Sequence, residues 1–283
     1  MTFSKIRQLC AIQLCSSTDI ADNFGVIEQQ LATLDKSTQQ LVVLPECCLF
    51  FGAKDKGQLA LAEKNYPQNE LKSKLAELAL HYNVFLVAGS MPVLSNQQHK
   101  FTNTCFVFSP EGEELGHYDK IHLFDVAVQD KEKNYCESRY TQAGEQLSVV
   151  DVAGVNVGLS ICYDLRFPEL FRQLSQQGAK IITVPSAFTR VTGAAHWQIL
   201  LQARAIENQV YIIAAGQEGV HENGRETWGH SMIISPWGEI LAQLDTGSGI
   251  ICADYQEQEL AKVRSAMPVA SHNRFKNKLM SNE

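Results

Sequence analysis

The amino-acid sequence predicts an α/β protein built as a four-layer α-β-β-α sandwich, with two central sheets and helices on both outer faces. Short apolar segments of strand length alternate with segments whose apolar residues recur at helical spacing, which is the pattern of α/β folds. Three kinds of segment also occur twice in the same order, which predicts internal pseudo-symmetry; chance similarity between apolar strands is the alternative. The paired segments are 41–45 with 181–185, 84–89 with 210–216, and 109–113 with 235–239.

The elements of the first half follow from apolar spacing. Ile27, Leu31 and Leu34 recur at helical spacing and predict a helix over 19–34. An uninterrupted apolar run that ends at Pro45 is typical of a buried parallel strand. The other elements predicted for this half are strands over 6–14 and 84–89, a helix over 71–80, and a hairpin of 104–108 with 114–118.

A polar, irregular stretch over 125–147 precedes the second half of the chain and predicts a long loop. Loops of that length often have a function. A hairpin over 148–161 turns near Ala153 and Gly154. Because no linker interrupts the chain, we predict a single domain over 1–283 with a polar tail from about residue 268. The remaining predicted elements are helices over 169–177, 195–207 and 256–264, strands over 181–185, 210–216 and 250–254, and a hairpin of 232–235 with 240–244.

Composition limits the classes of partner. The 283 residues are 45% hydrophobic, which supports an extensive core, and the formal net charge of -7 with no basic block argues against nucleic-acid binding. No signal peptide and no apolar run of about 18 residues is found, so a soluble cytoplasmic protein without a membrane span is expected. The eight cysteines are expected to be reduced, and neither Cys-x-x-Cys nor His-Glu-x-x-His spacing occurs, so no metal site is predicted.

A cysteine stands where a predicted strand gives way to a predicted helix. The apolar run 155–161 ends at Cys162, and Pro168 suits the first turn of the helix that follows. Free N–H groups near such a junction can stabilise negative charge. The position therefore suits a nucleophile, but free cysteines are also common in cores, and this segment alone leaves both interpretations open.

A cysteine nucleophile needs a base or a positive neighbour, because its ordinary pKa of about 8.5 leaves most of it protonated at neutral pH. The histidines to weigh are His122, His196 and His230, which lie in loops or beside strand ends. A carboxylate is the alternative base. Glu46 follows a buried strand directly, whereas Asp164 and Glu169 have alternative roles at the start of a helix.

Lys120 also follows a strand and lies among apolar and aromatic residues, which is unusual for a solvated lysine. A cation beside a thiol lowers the pKa of that thiol and stabilises an oxyanion. Glu46, Lys120 and Cys162, each after a strand, therefore form a coherent set for nucleophilic catalysis.

Three segments of the chain resemble the catalytic segments of the nitrilase superfamily of carbon–nitrogen hydrolases, in the same order. They are Leu44-Pro45-Glu46, Tyr118-Asp119-Lys120-Ile121-His122-Leu123-Phe124 and Ile161-Cys162-Tyr163-Asp164-Leu165-Arg166-Phe167-Pro168-Glu169-Leu170. Further similar segments, among them 185–188, 193–197, 202–208 and 228–232, extend the resemblance over nearly the whole chain.

The resemblance implies a fold, roles and an assembly. It implies the same four-layer sandwich, at least a homodimer, and catalysis without a metal or organic cofactor. The implied roles are general base for Glu46, oxyanion stabiliser for Lys120 and nucleophile for Cys162. Glu137, in a Tyr-Cys-Glu-Ser segment similar to that of the family, is the candidate second glutamate, and the N–H of Tyr163 is the second oxyanion donor.

Within that superfamily, the segments 136–138, 162–170 and 185–188 are together most similar to those of the deaminated glutathione amidases. These enzymes cleave the amide between a 2-oxoglutaryl group and cysteinylglycine. The alternative is the ω-amidase branch, which hydrolyses 2-oxoglutaramate and 2-oxosuccinamate and usually has glycine where this chain has Ser186; a nitrilase acting on nitriles fits less well. Both amide substrates are small anions, so we expect Arg190, with Thr189 and Thr192, to bind substrate.

Two hypotheses outside amide hydrolysis stay open at this point. A redox-sensing thiol protein would need a resolving cysteine for Cys162, and Cys136 is the candidate. A non-catalytic binding protein of the same fold is the other, although the intact set of Glu46, Lys120 and Cys162 argues against it.

Overall fold

Two β-sheets packed face to face form the centre of the computed structural model, which describes residues 5–54, 56–97, 99–127 and 134–276. The strands are β1 (Gln8–Gln13), β2 (Gln40–Val43), β3 (Phe85–Val87), β4 (Met91–Leu94), β5 (Phe101–Phe108), β6 (Glu114–Asp119), β7 (Asp125–Ala127), β8 (Asn134–Cys136), β9 (Val149–Val152), β10 (Val155–Leu159), β11 (Ile181–Ser186), β12 (Tyr211–Gly216), β13 (Glu218–Val220), β14 (Glu226–Trp228), β15 (Ser231–Ile234), β16 (Ile240–Leu244) and β17 (Gly249–Asp254). The helices are α1 (Ile20–Leu31), α2 (Gly57–Asn65), α3 (Glu70–Tyr82), α4 (Pro168–Gln176), α5 (Arg190–Asn208), α6 (Glu257–Ala266) and α7 (Val269–His272).

The two sheets have the same strand pattern, as the repeated segments predicted. One runs β17-β1-β2-β3-β5-β6, with β4 also pairing β5, and the other runs β9-β10-β11-β12-β15-β16. In each, three parallel strands are followed by two antiparallel strands and flanked by an antiparallel edge strand. Both hairpins that follow carry a register shift at the matching place, before the turns at Ser109 and Ser235.

Strand β2 shows how the layers form. Leu41 and Val43 point into the core that also contains residues of the second sheet, whereas Val42 and Leu44 point into the core under α1 and α3. A strand buried on both faces must be apolar throughout, which is why its sequence is an uninterrupted apolar run. Burial of each such side chain stabilises the fold by roughly 1.5–3 kcal/mol. On the far side, α4 and α5 cover the second sheet, so the predicted four-layer sandwich is confirmed.

The stretch predicted as a loop over 125–147 is partly ordered into strands. Strands β7 and β8 pair with each other, and a single 3-10 turn over Glu137–Arg139 follows them. Residues 128–133 of this stretch lie outside the described residues. The prediction was wrong at these strands because three-residue strands are too short to show an alternating pattern.

Four other differences concern short or weakly patterned elements. Helix α2, strand β4 and the β13–β14 hairpin were not predicted, since their apolar residues show neither clear alternation nor a clear helical face. The stretch predicted as a polar tail contains the one-turn helix α7, and residues 277–283 lie outside the described residues.

Within the described residues, the structure contains no helix whose length and hydropathy would let it cross a bilayer.

Gly89, directly after the strand region of β3, makes a close contact that only glycine permits. Its φ is +57°, and a Cβ at this position would overlap the carbonyl oxygen of Pro45, the residue before Glu46. Gly154 in the β9–β10 turn also has a positive φ, of +81°, but open space surrounds it.

We therefore expect Gly89→Ala to destabilise the protein much more than Gly154→Ala. The Gly154 variant should lose about 1 kcal/mol from backbone strain alone, whereas the Gly89 variant should lose roughly 3 kcal/mol or more because the two strands must also separate. Urea denaturation of both variants measures the difference. Equal losses would contradict this explanation of the close contact.

Candidate active site

The chain segments after three strands bring Glu46, Lys120 and Cys162 together at one end of the sandwich. Glu46 lies three residues beyond β2 and Lys120 directly follows β6, both in the first sheet. Cys162 lies three residues beyond β10 in the second sheet. All three side chains are at least nine-tenths buried. The contact between the sheets thus assembles residues that are far apart in sequence.

Lys120 is held between two carboxylates. Its Nζ lies 2.8 Å from Oε1 of Glu46 and 2.9 Å from Oε2 of Glu137. Glu137 begins the 3-10 turn after β8, and its Oε2 also accepts a hydrogen bond of 2.7 Å from the N–H of Phe124. The predicted second glutamate is therefore placed beside Lys120.

Glu46 has further donors that fix its orientation. The Nδ2 of Asn103 donates to its Oε1 at 3.0 Å, and the N–H of Ala187 donates to its Oε2 at 3.0 Å. Its backbone carbonyl accepts a hydrogen bond of 3.0 Å from Gln217. Hydrogen bonds donated to a carboxylate favour its ionised form. The two oxygens of Glu46 have different donors, which fixes the orientation of the group.

Cys162 opens a 3-10 turn, Cys162–Arg166, and has a φ of +49°. A left-handed conformation at a non-glycine residue costs about 1–3 kcal/mol and is typical of functional positions. The thiol lines the same cavity as Glu46, whose charge acts on it. The first N–H groups of such a turn have no acceptor within it, so the N–H of Tyr163 stays the candidate second oxyanion donor.

Asp164 ties the cysteine turn to the segment that carries Lys120. Its fully buried carboxylate accepts hydrogen bonds from the N–H of Ile161 at 2.8 Å and from the hydroxyl of Tyr118 at 2.8 Å. It also contacts His122 through the backbone N–H, at 3.1 Å, and through Nδ1, at 2.7 Å. Both Asp164 and His122 thus have structural partners that hold the turn in place.

The charges in the cluster determine which groups are ionised. Burial alone would raise the pKa of Glu46, but the charge and hydrogen bond of Lys120, with smaller contributions from Cys162 and Arg225, together lower this pKa below its ordinary value of 4.5. Burial alone would lower the pKa of Lys120, but Glu137 and Glu46 raise it well above 10.5. Burial and the Glu46 charge raise the pKa of the Cys162 thiol above 9.0. The site at neutral pH therefore holds a carboxylate, an ammonium and a protonated thiol.

A cavity of about 290 Å³ opens onto these three side chains and is lined by residues from both halves of the chain. Tyr163, Thr189 and Thr192 line it, and their contacts with a substrate stay a prediction. The hydroxyl of Thr189 caps α5 and lies 2.9 Å from that of Thr192. The threonines therefore combine a place at the cavity wall with a role in starting the helix.

Arg190, which the sequence analysis expected to bind substrate, is not among the residues lining the cavity. It is the first residue of α5 and is exposed, and its Nε lies 3.1 Å from Oε2 of Glu226. Three other arginines, Arg139, Arg166 and Arg225, line the cavity instead. Arg166 lies 3.2 Å from Nδ1 of His196 through its Nη1.

His230, the third histidine considered as a base, has a backbone partner. Nδ1 of His230 lies 2.8 Å from the carbonyl oxygen of Trp228, and its ring stacks on the indole. Glu169, weighed as an alternative carboxylate, is exposed in the first turn of α4. Within the described ranges, no three His, Cys, Asp or Glu side chains are grouped so that they could hold a metal ion.

Sequence reasoning missed three contributors: Asn103, the N–H of Ala187 and Arg225. Asn103 lies on β5, one residue before the strand that was predicted over 104–108. A backbone N–H leaves no signal in a sequence. Arg225 lies in the loop between the short strands β13 and β14. Neither an apolar pattern nor a motif spacing in this segment indicates that the loop lines the cavity.

A model of the carbon-nitrogen hydrolase family matches residues 8–265. The chain is 42% identical to a deaminated glutathione amidase of Yersinia enterocolitica over 98% of this chain and 96% of that protein. It is 36% identical to the human omega-amidase NIT2, over 94% of this chain and 95% of that protein. The crystal structure of the Caenorhabditis elegans NitFhit protein has a TM-score of 0.85 at 35% identity, and the match covers 96% of this chain but 66% of that protein. The chain therefore belongs to the carbon-nitrogen hydrolase family and is an amide-hydrolysing enzyme.

Proposed function

We propose that this enzyme hydrolyses deaminated glutathione to 2-oxoglutarate and cysteinylglycine through a thioester on Cys162. The observation that carries the mechanism is the buried ion pair of Glu46 with Lys120 at the cavity that Cys162 also lines. The similarity to the Yersinia amidase supports the substrate. The expected arrangement of one domain over 1–283 in the cytoplasm stays a prediction.

In the first half-reaction, Glu46 acts as general base and Cys162 as nucleophile. The thiol is protonated in the resting site, so its proton passes to Glu46 as the sulfur attacks the amide carbon. Lys120 and the N–H of Tyr163 stabilise the oxyanion that forms on the former carbonyl oxygen. Glu46 then donates the proton to the amine nitrogen, the carbon–nitrogen bond breaks, and cysteinylglycine leaves.

In the second half-reaction, Glu46 takes a proton from a water molecule that attacks the thioester. The same two donors stabilise the second tetrahedral intermediate. As it collapses, the bond from carbon to sulfur breaks, Glu46 returns its proton to the sulfur, and 2-oxoglutarate leaves. Glu137 keeps the ammonium of Lys120 charged and oriented through both half-reactions, since it supplies the second carboxylate around Nζ.

The ω-amidase activity is the second candidate function, because the human omega-amidase NIT2 is also similar to this chain. The position that separates the branches in sequence, Ser186, is fully buried, and its hydroxyl donates to the carbonyl oxygen of Val184 at 3.3 Å. Ser186 is not among the cavity-lining residues, so this position alone carries little weight for the substrate.

Substrate contacts by Thr189 and Thr192 stay part of the proposal because both line the cavity. Binding at Arg190 is less favourable, since a substrate would have to displace the ion pair with Glu226. Of the hypotheses outside amide hydrolysis, the redox-sensing one keeps Cys136 as its candidate, which lines the same cavity as Cys162.

We also propose a homodimer through the outer face of α5. The exposed fractions of Ile199, Ile206 and Trp237 are 70%, 52% and 57%, which leaves an apolar area on this face that a second copy would cover. Sedimentation velocity should give a mass twice that of the chain. Ile199→Glu should shift the protein to monomer, whereas Leu80→Glu, at another exposed apolar position, should not; a monomeric wild type would contradict the dimer.

The substrate proposal predicts a clear preference in a matched assay. Deaminated glutathione should have a higher kcat/KM than 2-oxoglutaramate and than simple neutral amides, because the enzyme would use both ends of the larger anion for binding. Cys162→Ala should abolish turnover of every substrate, with a loss of at least about 10⁴-fold. A wide preference for 2-oxoglutaramate would favour the ω-amidase instead, and full activity of the alanine variant would overturn the mechanism.

The proposed base predicts a characteristic pH profile. The folded pKa of Glu46 lies below 4.5, so this carboxylate is ionised above that pH and loses its function only as the pH falls through the lowered pKa. We expect kcat/KM to stay flat between about pH 5.5 and 7.5, whereas a histidine base would give an acidic limb near its ordinary pKa of about 6.5. An acidic limb near about pH 6.5 in the wild type that persists in His122→Asn would show that a group other than Glu46 and His122 is the base.

A further inference from the structure

We propose that Arg225 binds a carboxylate group of the amide substrate and thereby selects anionic over neutral amides. This inference rests on the proposed function, because it concerns how an anionic amide is recognised. Arg225 lies in the loop between β13 and β14 and lines the cavity together with Glu46 and Cys162.

Two aromatic rings hold the guanidinium of Arg225. Its Cζ lies 5.0 Å from the centre of the Phe51 ring and 4.9 Å from the centre of the Tyr135 ring. Contacts of this kind are each worth about 0.5–2 kcal/mol and restrict a planar guanidinium that would otherwise be mobile. The side chain is therefore positioned before a substrate arrives, which reduces the entropy lost on binding.

The hydrogen bonds of Arg225 leave much of its binding capacity unused. Its Nη2 donates to the carbonyl oxygen of Ala187 at 3.2 Å, and its Nε is buried without a partner. Among the residues that the structure describes, no carboxylate forms an ion pair with it, whereas Arg190 pairs with Glu226. A partly buried cation without a counter-ion is unfavourable, and an anionic ligand would relieve that cost.

The charge of Arg225 acts on Glu46, but Glu46 does not form an ion pair with Arg225. It contributes to the lowered pKa of Glu46, which places it electrostatically close to the cluster. The Lys120 ammonium is already matched by Glu46 and Glu137. Arg225 is thus a cation available to a substrate, and a guanidinium can bind a carboxylate through two parallel hydrogen bonds.

Deaminated glutathione offers two carboxylates, one on the 2-oxo acid and one on the terminal glycine. Either would supply the same chemistry to Arg225. Two further substrates distinguish these carboxylates, because each keeps the 2-oxo acid carboxylate and lacks the glycine carboxylate. In 2-oxoglutaramate the leaving group is also short, whereas the glycinamide analogue of deaminated glutathione keeps a leaving group of full length.

The test compares Arg225→Gln, Arg225→Lys and the matched control Arg190→Gln with the wild type. Arg225→Gln should lower kcat/KM on deaminated glutathione by roughly 10- to 100-fold, mainly through KM, because it removes a hydrogen bond between charged groups. Hydrolysis of the neutral amide butyramide should change less than about twofold. Arg225→Lys should recover part of the loss, and Arg190→Gln should behave as the wild type.

The shorter substrates then identify the carboxylate. If Arg225 binds the 2-oxo acid, Arg225→Gln should lose as much on 2-oxoglutaramate as on deaminated glutathione. If it binds the glycine carboxylate, the wild type should already be poor on the glycinamide analogue, and Arg225→Gln should leave that analogue and 2-oxoglutaramate unchanged. Equal losses on butyramide and deaminated glutathione, or no loss on any substrate, would overturn the role of Arg225.

A failure of the proposed function gives a different result. In that case the wild type itself would hydrolyse deaminated glutathione no better than butyramide. Calorimetric titration with 2-oxoglutarate and with cysteinylglycine then decides on Arg225 without turnover: weaker binding of one of them by Arg225→Gln supports the inference, and unchanged binding of both contradicts it.

Discussion

The ammonium group of Lys120, buried between Glu46 and Glu137, is the interaction on which the site depends. Taking three charges out of water costs several kcal/mol for each ion, and only close pairing with well-placed hydrogen bonds offsets that cost. The pairing keeps Glu46 ionised while the nearby Cys162 stays protonated. A resting site with a ready base and an unreactive thiol avoids exposing a thiolate to solvent, and the proposed nucleophile forms only as the substrate is attacked.

This arrangement requires both sheets and a strained backbone. Glu46 and Lys120 come from the first sheet and Cys162 from the second, so each half alone would hold an incomplete cluster. The residues at the two strand ends, Cys47 after Glu46 and Cys162 itself, both have positive φ values, of 54° and 49°. The buried carboxylate of Asp164 holds the second of these turns against the segment that carries Lys120, so packing maintains a geometry that the local sequence does not favour.

The sequence contains most of the fold, because long apolar runs and helical spacing reflect burial that the sheets and helices need. Strands such as β2 and β11 and the two Ser-Pro-x-Gly-Glu hairpins were therefore predicted, with ends that differ by one to three residues. Glu46, Lys120 and Cys162 could be found because each follows a recognisable strand. Arg190 was expected to bind substrate because it lies in the segment after the strand that ends at Pro185. The start of α5 and the pairing with Glu226, both tertiary effects, remove it from the cavity.

The central claim is that Cys162 carries the acyl group during turnover. Rapid acid quenching of the enzyme with deaminated glutathione, followed by peptide mass spectrometry, measures this directly. The expected result is a 2-oxoglutaryl group on the peptide containing Cys162, which appears during turnover, disappears when substrate is exhausted, and is absent from Cys162→Ala. Steady hydrolysis with no adduct on Cys162, or a disulfide between Cys162 and Cys136 without hydrolysis, would contradict it.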